Sequence, residues 1–159
     1  MSYGICFVCL GNICRSPTAA GIFRQRLSSL YPEAKIHIDS AGTAGYHEGA
    51  RADPRSRAAA AERGYQLDSR AAQFKPNDFS RFSLILAMDT ENLHNLQAIA
   101  PSTFEGELRL FRDFDPLAES GASVPDPYYG GARGFEDVLD MCERTSDGLI
   151  AYLKEIDEL

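Results

Sequence analysis

The 159-residue chain lacks several features, and each absence narrows what it can be. No apolar run approaches the roughly 20 residues of a membrane-spanning helix. The N-terminus, MSYGICFVCL, lacks the basic flank of a secretory leader. Both absences point to a cytoplasmic protein with no membrane partner. Positive charge is scarce: 16 Lys and Arg stand against 23 Asp and Glu, for a net charge of −7 and a pI near 4.9. That balance argues against a nucleic-acid binder, so any anion must be held at a locally built site. Cysteine is limited to four residues, expected as reduced thiols. Cys6-x-x-Cys9 has no second pair to complete a zinc site, so neither metal nor cofactor is expected. No Gly-Lys-Ser/Thr follows the first glycine turn, which excludes the usual nucleotide phosphate loop. Repeats, low-complexity tracts and linkers are also missing. One domain over residues 1–159 is expected, long enough to bury a core.

What is present alternates between two periodicities. Tyr3 to Val8 is short, apolar and rich in β-formers, and reads as a buried strand. Ser16-Pro17 reads as an N-cap with proline at the first helical position. Ala19, Ile22, Phe23, Leu27 and Leu30 continue that helix to Tyr31-Pro32. A second strand is expected over about Lys35 to Asp39, followed by the loop SAGTAGYHEG. Helical character resumes over Pro54 to Arg63 and stops at Gly64. SLILAM, Ser83 to Met88, is a third strand, Asp89 to Ile99 a helix, and Glu107 to Phe111 a short fourth strand. The Pro/Gly/Asp-rich stretch Asp113 to Gly134 reads as loop, and loops of that length are uncommon without a function. A last helix carries Phe135, Val138, Leu139, Cys142, Leu149, Leu153 and Ile156 on one face. The expected fold class is α/β: a single-domain three-layer α/β/α architecture with a four-stranded parallel sheet. Ligands in such sheets bind at the carboxyl ends of strands, beside helix N-termini.

The stretch VCLGNICRSPTAAGIF, Val8 to Phe23, occupies such a place, with a phosphate-binding loop between strand 1 and helix 1. Unpaired N–H groups at a helix start attract an anion. Gly11 and Asn12 are the residues most tolerant of positive φ, which a tight cradle needs. Arg15 offers a rigid fork suited to a tetrahedral oxyanion. A thiol in such a field, here Cys9, gives up its proton more readily, and Ser16 can donate to the thiolate. A structural cysteine in a tight connection is the bland alternative, and the coincidence of all five residue types outweighs it. Breaking a phosphate ester also needs an acid for the leaving oxygen. Asp53-Pro54, Asp115-Pro116 and Asp126-Pro127 are equal candidates on chemistry alone, because proline holds each aspartate extended. His37, His47 and His94 have no placement that suggests a Cys-His hydrolase.

Cys9-Leu10-Gly11-Asn12-Ile13-Cys14-Arg15-Ser16 resembles the C-x5-R-S signature loop of the low-molecular-weight protein tyrosine phosphatases. The resemblance spans nearly the whole chain, through IDSAGT at Ile38–Thr43, AMD at Ala87–Asp89 and DPYYGG at Asp126–Gly131. It implies metal-independent hydrolysis of protein phosphotyrosine and aryl phosphates through a phosphocysteine intermediate. Tyrosine-phosphorylated proteins are then the partners, and phosphate or another oxyanion occupies the loop. The resemblance makes Cys9 the nucleophile and Arg15 the oxyanion fork, and it selects Asp126 as the acid. Leu10, Gly11, Asn12, Ile13, Cys14 and Ser16 form the loop, with Asn12 holding its shape and Ser40 helping to anchor it. Tyr46, Tyr128 and Tyr129 are implied as cleft walls for a flat ring. Cys14 resembles the family's second cysteine, able to trap an oxidised Cys9 as a disulfide, so redox regulation is expected. A small packing residue is the competing reading for Cys14, and Cys6 and Cys142 read as core. Ile13 favours phosphotyrosine, since phosphoarginine-directed members tend to carry threonine there. A monomer or weak homodimer is expected.

The chain departs from the family near Ser69, in DSRAAQF, where many members have a histidine bracing the loop asparagine. Altered loop stability rather than lost chemistry is the expected result. Two rivals remain. A thiol-dependent arsenate reductase needs further cysteines after the third strand, and Met88 to Pro101 has none. A phosphotyrosine reader without turnover usually loses the Cys, Arg or Asp, and this chain keeps all three.

Overall fold

A computed structural model describes residues 3–127, 131 and 133–159. Four strands, β1 (Tyr3–Cys9), β2 (Ile36–Gly42), β3 (Leu84–Ala87) and β4 (Glu107–Leu110), form one all-parallel sheet in the order β2-β1-β3-β4. Four helices cover it: α1 (Arg15–Leu30), α2 (Pro54–Glu62), α3 (Thr90–Ile99) and α4 (Gly134–Glu155). The strands alternate two apolar faces rather than an apolar and a polar one. Ile5, Phe7 and Cys9 of β1, with Leu84 and Leu86 of β3, pack on α1 and α4. Cys6, Val8, Ile85 and Ala87 point the other way, onto Leu96 of α3 and a cluster of Phe74, Phe79 and Phe82. Burial on both faces is why these strands read as continuous apolar runs. No helix among the described residues is long and apolar enough to cross a membrane.

The order of the strands positions the site. The chain leaves β1 toward β2 on one side and later returns to β3 on the other. The crevice at the carboxyl end of β1 lies where the winding reverses, and ligands bind there in open α/β sheets.

Several boundaries differ from the sequence reading. Helix α1 begins at Arg15, with Cys14 at the cap position and no capping side chain. Ser16 is therefore inside the first turn, and its hydroxyl serves the loop instead. Strand β2 continues to Gly42, its small residues Ser40, Ala41 and Gly42 pairing with Phe7, Val8 and Cys9. Their low β-propensity conceals a strand end that close packing against the loop requires. Gly42 N–H and C=O bond to Ala72 and Phe74, respectively. Phe111 belongs not to β4 but to a 3₁₀ turn, Phe111–Phe114, and a second such turn spans Pro76–Arg81. Ile156 lies just past the end of α4.

Candidate active site

Strand β1 delivers Cys9 to the carboxyl end of the sheet and the chain turns at once into α1, so the sulfur sits below a helix start. Cys9 is 2% exposed and Arg15 4%. The turn between them is held from outside by its carbonyls. Cys9 C=O accepts from Thr43 N–H at 2.9 Å, Leu10 C=O from Ala44 at 3.0 Å, and Ile13 C=O from Asp53 at 2.8 Å. With the carbonyls turned outward, the N–H groups of Gly11, Ile13, Cys14, Arg15 and Ser16 donate to no acceptor among the described residues. Successive N–H groups left in this way form an anion-binding concavity at a helix N-terminus.

Asn12 holds that shape. It is the loop residue at positive φ, 58°, a strained setting for a side chain that asparagine tolerates best. Its backbone N–H donates to Cys9 Sγ at 3.3 Å. Its side-chain amide donates to Ser16 Oγ at 2.8 Å and Ser40 Oγ at 3.0 Å. Its Oδ1 accepts from the Ala72 backbone N–H at 3.0 Å. A main-chain donor thus supplies the brace that the Ser69 region lacks as a side chain. Ser40, expected to help anchor the loop, is the residue of β2 that bonds the Asn12 amide. Gly11 differs from expectation: it is not among the positive-φ residues, and its value is space, since a Cβ there would meet His47 Cδ2 at 2.9 Å. Ser16 Oγ lies 3.1 Å from Cys9 Sγ. It accepts from Asn12, and its one hydrogen has two acceptors within reach, the sulfur and the more distant Ala41 C=O at 3.4 Å.

Arg15 is aimed by partners the sequence reading left out. Its Nη1 donates to Asp89 Oδ2 at 2.6 Å and to Val124 C=O at 3.1 Å, and its Nη2 stands 4.0 Å from Asp126 Oδ2. Asp89 also caps α3, accepting from Asn92 N–H at 2.7 Å. Burial works against the guanidinium charge, but Cys9, Asp89 and Asp126 outweigh it and raise Arg15 above its ordinary value. AMD was a legible motif, but nothing in it reveals that its aspartate reaches back 74 residues to Arg15.

A cavity of about 250 Å³ opens over this floor, lined by Cys9, Leu10, Gly11, Ile13, Cys14, Arg15, Tyr46, His47 and Asp126. The structure therefore gathers the nucleophile, fork and acid candidates around one space. Of the three Asp-Pro pairs, only Asp126 lines it. Its approach is pinned by Val124, whose N–H donates to Met88 C=O at 2.7 Å, and by Arg112 on Ser123 C=O at 2.8 Å. Asp53 caps α2, accepting from Arg55 N–H, and Asp115 is buried between Arg112 and Arg144. Tyr46 stands 78% exposed at the cavity mouth. His47 also lines it, a placement that the sequence did not indicate. Tyr128 and Tyr129 lie outside the described residues. Cys14, in the loop itself, is buried, and burial pushes its thiol up to about 12. A larger cavity of about 670 Å³, around Phe79, Arg81, Phe82 and Phe104, lies at the opposite end of the sheet and contains none of the loop residues. Among the described residues, no three His, Cys, Asp or Glu side chains group as metal ligands.

A tetrahedral anion held over a sulfur nucleophile is what such a cradle accommodates, the arrangement that a cysteine-dependent phosphatase requires. Comparison with known proteins narrows that class. The model of the family "Low molecular weight phosphotyrosine protein phosphatase" matches residues 4–158. A low molecular weight protein-tyrosine-phosphatase from Streptomyces coelicolor is 47% identical over 157 residues, covering 98% of this chain and 96% of that one. The human low molecular weight phosphotyrosine protein phosphatase is 35% identical over 142 residues, covering 88% of this chain and 89% of its own. Among solved structures, a protein tyrosine phosphatase from Entamoeba histolytica, with Hepes in its active site, superposes with a TM-score of 0.91 at 39% identity, covering 98% of this chain and 99% of that chain. The chain belongs to the low molecular weight phosphotyrosine protein phosphatase family.

Proposed function

We propose that residues 1–159 work as one cytoplasmic phosphatase domain that hydrolyses protein phosphotyrosine and aryl phosphates in two displacements, without metal or cofactor. Cys9 Sγ attacks phosphorus, and the S–P bond forms as the bond to the aryl oxygen breaks. Arg15 and the inward N–H groups hold the three equatorial oxygens, so the developing charge meets donors already in place. Asp126 gives its proton to the departing phenolate. It then takes a proton from the water that attacks the phosphocysteine, which releases phosphate and restores the thiolate. Tyr46 lines the cavity, Tyr128 and Tyr129 are implied as further ring walls by the family resemblance alone, and Ile13 favours an aromatic leaving group over phosphoarginine.

The observation that carries this reading is the outward fixing of the loop carbonyls, which leaves five N–H groups beside Arg15 around a buried sulfur. The test is p-nitrophenyl phosphate hydrolysis at mildly acidic pH with EDTA present. Wild type should turn over, Cys9→Ser should be inactive, and Asp126→Ala should lose about 100-fold or more in kcat. A folded wild type that releases no phosphate would sink the enzyme reading, and thiol-dependent arsenate reduction by it would favour the reductase.

The position of Cys9 and Cys14 on one cavity supports a redox switch as a second reading. Peroxide would convert Cys9 to the sulfenic acid. The Cys14 thiol would then attack that sulfur, forming a disulfide and releasing water. Peroxide treatment should remove two hydrogens from the protein mass and abolish activity, and dithiothreitol should restore both. In Cys14→Ser the loss should become irreversible.

A further inference from the structure

We propose that Arg51, Arg57 and Arg70 form a docking surface for acidic side chains flanking the phosphotyrosine of a substrate protein, an inference that rests on the phosphatase reading above. Residues 51–70 contain five arginines against three carboxylates, in a chain whose net charge is −7. An acidic substrate would be repelled by the molecule as a whole, so attraction has to be local. Many of the other arginines are paired internally: Arg26, Arg63, Arg81, Arg112 and Arg144 each bond a carboxylate, whereas Arg24 is held singly by the Ile38 carbonyl. Arg51, Arg57 and Arg70 have no ion pair among the described residues. Two of them are instead held by main-chain carbonyls. Arg57 Nε donates to Ala52 C=O at 3.0 Å, and Arg70 Nη1 to Gly49 C=O at 3.4 Å. A carbonyl orients a guanidinium without neutralising it, so the charge stays available to a partner.

Placement links the surface to the cleft. Arg51 and Arg70 face each other across an antiparallel bridge. Arg51, Pro54, Arg57, Leu67 and Asp68 border a depression of about 460 Å³. Asp68 is the acidic group on its rim, and Glu48, Asp53 and Glu62 are the other carboxylates close in sequence; Asp53 pairs with Arg55, and none of the four is ion-paired to the three arginines. Tyr46, at the cleft mouth, is five residues from Arg51, a reach of at most about 17 Å. Two residues beyond Arg51 and Arg70, Asp53 and Ala72 bond directly to the phosphate loop through their N–H groups. An extended peptide with its phosphotyrosine in the cleft would carry residues three or four positions away about 10–14 Å from it. Charges at that spacing raise association rate and selectivity more than intrinsic affinity, and they are screened within about 8 Å at physiological salt.

The test compares wild type with Arg51→Gln/Arg70→Gln on three substrates: p-nitrophenyl phosphate, a phosphotyrosine peptide with Asp and Glu on both sides, and the same peptide with Asn and Gln. Arg57 is left intact because its half-buried bond to the Ala52 carbonyl, at 3.0 Å, is shorter than the exposed 3.4 Å bond from Arg70 to Gly49. Wild type should prefer the acidic peptide by about fivefold in kcat/KM at low salt, since each exposed pair contributes little. High salt should erase the preference, and so should the double substitution, with p-nitrophenyl phosphate turnover unchanged. Equal use of both peptides by wild type overturns the inference, and so does a variant that loses p-nitrophenyl phosphate turnover, since the arginines would then serve the loop's fold. Absence of wild-type turnover on p-nitrophenyl phosphate instead removes the phosphatase reading. Fluorescence anisotropy with the labelled acidic peptide still reads the surface in that case, and equal binding by wild type and variant overturns it. Variant-sensitive binding to phosphatidylserine vesicles without any peptide preference would assign the surface to membrane and likewise overturn the proposal.

Discussion

Asn12 concentrates the loop's geometry in one side chain. It holds a left-handed backbone and, through its amide, bonds to Ser16, Ser40 and the Ala72 N–H. Asn12→Ala removes the three side-chain bonds and keeps a Cβ at an unfavourable φ, whereas Asn12→Gly removes the bonds and relieves the backbone. Asn12→Ala should lower kcat/KM on p-nitrophenyl phosphate by about 10- to 100-fold, because small displacements of a positioned group are costly to catalysis. Asn12→Gly should show a similar loss of rate with a smaller loss of melting temperature. If both retain full activity, the amide network is not what shapes the cradle. The candidate nucleophile and fork were legible here because Cys, Gly, Asn, Arg and Ser fall within one short stretch. Asp89, His47 and the Ala72 N–H were not, because their proximity to that stretch depends on folding over 36 to 74 residues.

Among the elements, α4 packs closely on the turn Phe111–Phe114 at Gly148. A Cβ at Gly148 would overlap the Phe114 carbonyl oxygen. Helix propensity alone would favour alanine at this position by about 1 kcal/mol. The clash dominates, so Gly148→Ala should destabilise by about 3 kcal/mol or more. Thermal melting should fall by roughly 10 °C, and an unchanged or raised melting temperature would show that α4 can shift freely. The periodicity of α4 was readable in its apolar stripe. Its glycine contact, the strand character of Ser40–Gly42 and the two 3₁₀ turns were not, because each is set by a neighbouring segment rather than by local preference.

At the scale of the whole molecule, Asp115 joins distant parts of the chain. Its carboxylate accepts from Arg144 of α4 at 2.9 and 3.0 Å and from Arg112 at 3.1 Å, with its side chain fully buried. Arg112 in turn holds Ser123, in the segment that carries Asp126. Burial raises the Asp115 carboxyl, but the bonds from Arg144, the Leu117 N–H and Arg112 outweigh it and bring it down to about 2. An unfolded aspartate titrates near 3.9. The unfolded state therefore binds the proton more tightly. The stabilisation, about 2 to 3 kcal/mol, is fully present above about pH 5 and is lost as pH falls toward 2. Denaturant titrations should show this loss in wild type and a flatter acid dependence in Asp115→Asn. The substitution should itself cost about 3–5 kcal/mol at neutral pH by leaving Arg144 and Arg112 without their shared partner. An identical acid slope in both proteins would remove Asp115 from that role.

The sequence by itself determined the alternation of strands and helices, the apolar faces, and the short stretch from Cys9 to Ser16 in which nucleophile, turn and fork are neighbours along the chain. Those features are local, written in periodicities of two and 3.6 residues and in residue types with distinct backbone preferences. On chemistry alone the three Asp-Pro pairs were equivalent, and only the family resemblance of DPYYGG singled out Asp126. The tertiary structure put Asp126 on the cavity with Cys9, and it alone decided what braces Asn12 in place of a histidine and which arginines keep their charge unspent. Each of these depends on the distance between segments far apart in sequence. The order of the parallel strands sets that distance.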